Sequence, residues 1–387
     1  MNICFVSTYS STNNGGATFS MFNIGNELVN RGHRVSIILN SNLNLDKIDY
    51  NPKIEIILSP QYSMRVSKHK ENILTKYKFL LKSWANIWFQ HNLTRILSKR
   101  EIDIIHINGL DSSIAAQTAK KLGIPYVWHI RQLLDEDFNM YLFEEEKIFQ
   151  LLNQSQKVIA ISETVKDRFQ DKVRNIDVIY NGVPLEKYYI QKRDIISRHR
   201  INIMIAGRID LGKGQFDAIK AVQILLEKKH DVHLYIIGSI ENHSYYVDIY
   251  EYISNNGLDK EITIYDHVTD LSEIRELCDI GLTCSKMEAF GRVTIENQMA
   301  GLITIGANSG GTKEIIKDNE TGFLYETNNP QDLAQKIENV ILNPNKSRKV
   351  AEMGQKDSLK RFSIINVVNE LEKIYKEILM ESRDIID

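Results

Sequence analysis

Short apolar runs separated by amphipathic stretches dominate the first half of this 387-residue chain. The run at 2–6 predicts a buried strand, followed by a Ser/Thr/Asn loop that ends in Gly15-Gly16. Helical spacing then covers about 17–31 and stops near Gly32, because glycine turns a chain out of a helix without a Cβ clash. Further strands are predicted at 34–39, 54–58, 103–107, 126–129, 157–161 and 177–180, with helical periodicity in most of the gaps. Strands that alternate with helices imply a parallel sheet covered on both faces.

After Asn181-Gly182-Val183-Pro184 the apolar pattern breaks into a charged stretch, 191–200, read as an interdomain linker. Alternation restarts with a strand at 202–206, a helix at 215–229 and a strand at 233–237, and further units run to about Tyr325. Residues 330–382 are helical almost throughout. The expected fold is α/β, with two Rossmann-like domains facing across a cleft at the strands' carboxyl ends. Its expected limits are 1–190, 191–365, and a C-terminal helix over 366–387 able to cross back to the first domain.

Composition narrows this picture without redirecting it. Hydrophobic residues make up 43% and charged residues 25%, ordinary for a globular chain of two cores. A formal net charge of −2 gives no global attraction for polyanions. Cys4, Cys278 and Cys284 lie in or beside apolar runs without metal-ligand spacing and read as buried thiols of a reducing compartment. No basic-then-apolar leader opens the chain, and no apolar run reaches the ~20 residues of a membrane span. The expected location is the cytoplasm, peripheral on the inner membrane face at most.

Chemistry concentrates in the second half. In S-K-M-E-A-F-G-R-V-T-I-E, Glu288 falls in a loop after the strand 280–283, and Glu296 lies about two turns into the next helix. That helix opens near Phe290-Gly291-Arg292, so unpaired N–H groups and a positive dipole end suit a diphosphate. A carboxylate farther along can accept from a ribose diol, and the loop carboxylate can meet sugar hydroxyls. The alternative is a solvated helix with two incidental glutamates. Arg208 and Lys213-Gly214 follow the strand 202–206, where two cations can neutralise a departing diphosphate and the glycines admit close backbone approach. The plain alternative is a pair of surface-loop charges.

Together these features resemble the retaining family 4 glycosyltransferases of the GT-B fold, of the bacterial polysaccharide and glycoconjugate type. The match is strongest from E-A-F-G-R-V-T-I-E through Gly310-Gly311-Thr312-Lys313-Glu314-Ile315 to Thr321-Gly322-Phe323-Leu324. Weaker matches are Gly15-Gly16, His129–Arg131 and Asn181-Gly182-Val183. The resemblance implies transfer of a sugar, with retention, from a nucleotide-diphosphate donor, uridine by family habit, to a saccharide or lipid-linked saccharide. Arg208 and Lys213 would hold the diphosphate, Glu296 the ribose, and Glu288 and His129 the transferred sugar. Phe290 and Gly291 would offer backbone N–H groups to the sugar, and Arg292 and Val293 theirs to phosphate. Gly16 would bring its loop against the phosphates or reacting hydroxyl, and Val268 would lie near the base. Ala289 and Arg292 depart from the common glycine and leucine, but neither change removes a backbone donor.

His129 and His106 both sit near strand ends, the address of a cleft residue and equally of a satisfied structural histidine. Asp135-Glu136-Asp137 spells a D-x-D metal pattern. It is read instead as the acidic entry to a helix at about 138–152, since consecutive helical carboxylates diverge. Neither metal nor cofactor is expected. Residues 65–100 carry nine cations against Glu71, a local charge of +8, interleaved with Tyr77, Trp84, Trp88 and Phe89. This suits an anionic membrane surface, or else a helix whose apolar face packs on the sheet while its lysines meet water. No nucleic-acid motif accompanies the charge. Rival readings are a nucleotide-sugar epimerase or hydrolase and a non-catalytic partner subunit; a nicotinamide enzyme lacks its G-x-G-x-x-G here.

Overall fold

A computed structural model describes residues 1–8, 16–40, 45, 48–68, 72–191, 196, 199–266, 268 and 270–384, the side chains of 137, 383 and 384 excepted. Contacts divide the chain into two units, Met1–Gly182 with Ile364–Asp387, and Val183–Ser363.

In the first unit the described strands are β1 (Asn2–Ser7), β2 (Arg34–Leu39), β3 (Glu55–Leu58), β4 (Arg65–Ser67), β5 (Ile104–Asn108), β6 (Tyr126–Ile130), β7 (Met140–Leu142), β8 (Lys157–Ala160) and β9 (Ile176–Val178). Seven of them form a parallel sheet in the order β3-β2-β1-β5-β6-β8-β9. Phe5 of β1 lies opposite Ile37 of β2 and His106 of β5, so strand order reverses between β1 and β5. A crevice opens at the carboxyl ends of strands where order reverses in this way. Helices Gly16–Asn30 and Ile364–Asp384 cover one face of the sheet, packing Phe22, Leu28, Val368, Leu371 and Tyr375 into one core with Ile3, Phe5 and Val127.

The region expected as a helix over 138–152 is broken. Helix Leu134–Phe138 ends at Asn139 in the left-handed conformation (φ 51°), β7 follows, and a second helix spans Glu145–Leu152. Asparagine tolerates that conformation, and the turn frees β7 to pair antiparallel with β4 in a ribbon the periodicity did not announce.

The second unit holds β10 (Ile201–Ala206), β11 (Val232–Ile237), β12 (Ile262–Tyr265), β13 (Ile280–Thr283), β14 (Ile303–Ala307) and β15 (Phe323–Tyr325). They form a parallel sheet ordered β12-β11-β10-β13-β14-β15, which reverses between β10 and β13. Of the charged stretch 191–200, residues 192–195, 197 and 198 lie outside the described residues, while Ile196 donates its N–H to Asp279 at 2.9 Å. The helical tail resolves into Pro330–Leu342, Pro344–Arg361 and Ile364–Asp384, the first two opening on a proline whose fixed φ suits a first turn. Gly182 meets the start of the last helix so closely that a Cβ there would lie 2.7 Å from Ile364 Cα.

Candidate functional site

The reversal between β10 and β13 gathers the cations and carboxylates of the second unit. Arg208 leaves β10 and is followed by a single 3-10 turn, Leu211–Lys213, in which Asp210 accepts the Gly212 N–H at 3.0 Å. Gly214 closes the turn at φ 71°, and a Cβ there would stand 2.1 Å from the Cys284 carbonyl oxygen. Only glycine lets this loop press so closely on the end of β13. Lys213 Nζ thereby reaches Glu288 Oε2 at 2.8 Å. Burial pushes the Glu288 carboxyl up, but Lys213, a Ser285 hydrogen bond and the nearby Arg208 charge together hold it below the usual range.

The glycine pair farther along the chain seats this loop. Gly311 donates its N–H to the Glu288 carbonyl at 2.7 Å, and a Cβ on Gly311 would come within 2.3 Å of the Phe290 carbonyl oxygen. Phe290 is anchored edge-on against Phe362, with ring centres 5.9 Å apart. Gly291, at φ 97°, then starts helix Arg292–Met299, whose first-turn N–H groups include those of Arg292 and Val293.

Glu296 is the fifth residue of this helix, a little over one turn in rather than two. Both its oxygens are engaged: Arg275 reaches Oε2 at 2.5 Å and Arg292 reaches Oε1 at 2.8 Å. Arg292 also donates to the Tyr188 hydroxyl at 3.0 Å, and the Arg275 guanidinium lies 5.1 Å from the Tyr188 ring centre. Burial opposes charge on Glu296, yet the two arginines hold its carboxyl below the ordinary range. The sequence reading missed Arg275 and Tyr188. Arg275 lies 21 residues before Glu296 and Tyr188 104 residues before Arg292, and charge and aromaticity are their only sequence signal. Val268 packs, half-buried, beside Met204, Ile237, Cys278 and Leu302, with 267 and 269 outside the described residues.

In the first unit, Gly16 opens helix Gly16–Asn30, and a Cβ there would meet nothing within 4 Å; Gly15 lies outside the described residues. His129, on β6, accepts or donates at Nδ1 to His106 Nε2 at 3.1 Å, and His106 Nδ1 meets the Tyr375 hydroxyl at 2.5 Å. Arg131 binds Asn108 at 2.7 Å and also Asn181, so the H-I-R and N-G-V segments touch through these side chains. Asp111, another residue not singled out from sequence, is buried between Thr8 (2.6 Å), Ser63 (2.5 Å) and Arg65 (2.9 Å) near the ends of β1 and β5.

Of the acidic run at 135–137, Asp135 and Glu136 turn to different cations, and the Asp137 side chain lies outside those described. Asp135 pairs with Lys68 at 2.7 Å and Glu136 with Arg168 at 2.8 Å. The basic stretch also loses part of its free charge to acids outside it: Arg65 pairs with Asp111, Lys68 with Asp135 and Arg100 with Glu55. What remains is concentrated on helix Ile73–Leu97, which carries no Asp or Glu. Its buried side is Phe79, Asn86, Leu93 and Leu97. Ile73, Leu80 and Ile87, then Leu74, Leu81 and Trp88, and finally Tyr77 and Trp84 repeat at heptad spacing on the other side. All of them are exposed, Trp84 at 76% and Trp88 at 68%. At 100° per residue they span an arc of roughly 140° flanked by Lys76 and Lys78. The apolar stripe therefore faces away from the sheet instead of packing on it.

Residues 190–357 match the family described as "Glycosyl transferases group 1", and residues 14–187 match "Glycosyltransferase Family 4". The capsular polysaccharide biosynthesis glycosyltransferase CapM of Staphylococcus aureus is 28% identical over 63% of this chain and 67% of its own length. An N-acetyl-alpha-D-glucosaminyl L-malate synthase of Bacillus anthracis is 21% identical over 96% of each chain. The crystal structure of Anabaena Alr3699/HepE in complex with UDP superposes with a TM-score of 0.79 at 19% identity, covering 97% of this chain and all of that one. Between them the two family matches account for both units, and the chain belongs to the family 4 glycosyltransferases of the GT-B fold.

Proposed function

We propose that the protein transfers a sugar, with retention and without a metal ion, from a UDP-sugar to a saccharide or lipid-linked saccharide at an anionic membrane surface. The observation that carries the reading is the Lys213–Glu288 pair, with Arg208 beside it, past the carboxyl ends of β10 and β13, where strand order reverses. Arg208, Lys213 and the N–H groups of Arg292 and Val293 bind the diphosphate, and Glu296 the ribose. Val268 borders the base, and Glu288, the N–H groups of Phe290 and Gly291, and His129 orient the sugar; Gly16 brings its loop against the phosphates or the reacting hydroxyl. The bond from the anomeric carbon to the phosphate oxygen breaks, and the acceptor oxygen bonds to that carbon on the same face. The acceptor's proton passes to the departing phosphate oxygen, while the two cations stabilise its growing charge. The Anabaena HepE crystal structure is a complex with UDP, which favours uridine here. The exposed stripe and its flanking lysines favour the membrane, and Trp, Leu and Lys in this order suit the headgroup boundary.

The test incubates the protein with a panel of nucleotide sugars and EDTA, with and without a lipid-linked saccharide extract. Mass spectrometry follows released nucleotide and sugar-adding mass shifts. Acceptor-dependent UDP release that survives EDTA is the expected result. Donor consumption without acceptor would replace this reading with an epimerase or hydrolase.

A further inference from the structure

The buried triad Tyr375, His106 and His129 carries a consequence for the proton on His129. Tyr375 comes from helix Ile364–Asp384, His106 from β5 and His129 from β6, and none is more than 1% exposed. The contacts run in series, from the Tyr375 hydroxyl to His106 Nδ1 at 2.5 Å and from His106 Nε2 to His129 Nδ1 at 3.1 Å. His129 Nε2, at the far end, is buried and meets no partner among the described residues. Burial and the Arg131 guanidinium push both imidazoles well below the usual histidine range, so each carries one N–H.

Two proton registers satisfy the two contacts. In one, the tyrosine hydroxyl donates to His106 Nδ1, His106 donates from Nε2 to His129 Nδ1, and His129 keeps its hydrogen on Nε2. In the other, every hydrogen is reversed; the tyrosine O–H then has no acceptor among the described residues and His129 Nε2 is a bare lone pair. The first register leaves one buried polar atom unmatched and the second leaves two, and an unmatched buried group is costly. The open nitrogen is therefore a donor.

We propose that Tyr375, acting through His106, is a positioning residue that fixes His129 as the Nε2–H tautomer, so that His129 donates a hydrogen bond to an oxygen of the transferred sugar and does not accept the acceptor's proton. The tautomer follows from the triad itself; the sugar contact rests on the donor reading above.

Long-range nitrogen-15 to proton NMR of the full chain labelled at histidine reads the tautomer directly, with His129→Asn and His106→Asn spectra identifying the signals. The unmodified protein is expected to show His129 protonated at Nε2 and bare at Nδ1. The opposite pattern, or a charged His129 at neutral pH, overturns the proposal. Tyr375→Phe removes the donor that sets the register. It is expected to mix the His129 tautomers and to slow transfer roughly tenfold with UDP affinity kept, less than the hundredfold of a directly lost donor. An unchanged His129 spectrum in that variant overturns the role of Tyr375. If the tautomer is as expected and His129→Asn transfers sugar at the parent rate, the sugar contact fails while the relay stands.

Discussion

Glu288 and Glu296 show how similar carboxylates acquire different duties from their neighbours. Glu288 shares one cation with the loop after β10 and stays partly open, whereas Glu296 is buried with a guanidinium on each oxygen. Lys213→Ala is expected to cut transfer about a hundredfold or more, roughly 3 kcal/mol of lost leaving-group stabilisation, measured as kcat/KM; activity within threefold of the parent would contradict its role. Arg275→Met leaves Glu296 with Arg292 alone, and breaking a buried pair from one side costs about 3–5 kcal/mol. The sign with pH follows from the depressed carboxyl: its stabilisation is full above the ordinary carboxylate range and is lost as pH falls through the folded value. Urea unfolding should therefore show a large difference between parent and Arg275→Met at pH 7 that narrows under acid. Arg292, the departure from the family's common leucine, owes its place to Glu296 and Tyr188, a relation invisible until the helix and the segment after Gly182 are folded.

At the scale of elements, the two glycine-bearing motifs of the second unit prove to be one object. The glycine pair at 310–311 forms the floor on which the Glu288–Phe290 loop rests. Gly311→Ala would force a methyl against the Phe290 carbonyl, an overpacking of about 1–3 kcal/mol. A lowered Tm together with weaker UDP binding, by calorimetry, is the expected outcome, since the loop that moves also opens helix Arg292–Met299. Helix Ile73–Leu97 is an element of another kind, apolar on a buried side and apolar again on an exposed one. At about 1 kcal/mol per lysine near an anionic surface, Lys76→Gln with Lys78→Gln should weaken binding to phosphatidylserine vesicles roughly thirtyfold. Flotation with neutral vesicles should show no such dependence. Stable self-association of the parent through this helix, with no vesicle binding, would instead make the stripe a protein interface. Two copies facing each other there would bring flanking lysines together with no acid on either helix to match them.

For the whole molecule, the path of the chain makes the units unequal. Val183–Ser363 is continuous, while the first unit depends on a helix from the far end of the sequence. Ile364, Val367, Val368, Leu371, Tyr375 and Ile378 are all buried in its core. At roughly 1.5–3 kcal/mol for each large apolar side chain, their loss rivals the whole stability of about 5–15 kcal/mol typical of a domain. A chain ending at Ser363 should therefore lose the cooperative melt of the first unit, whereas Val183–Ser363 alone should fold and bind UDP; circular dichroism and calorimetry check both. Much of this architecture was legible beforehand. Apolar periodicity located the strands of the first large sheet and β10, β11 and β13 of the second, because a strand buried on two faces must be a short apolar run, while β12, β14 and β15 were not placed one by one; the glycines and charges around Glu288 marked where β13 stops. Sequence alone also determined which residue types stand at 208, 213, 288 and 296. Folding decided their partners. Tyr188, Asp111 and Tyr375 belong to segments far away in the chain and Arg275 to the separate helix before β13, and only packing brings such groups within hydrogen-bond reach. Folding decided, too, that the apolar stripe of Ile73–Leu97 faces outward, since periodicity shows that a helix has an apolar face but not which surroundings that face will meet.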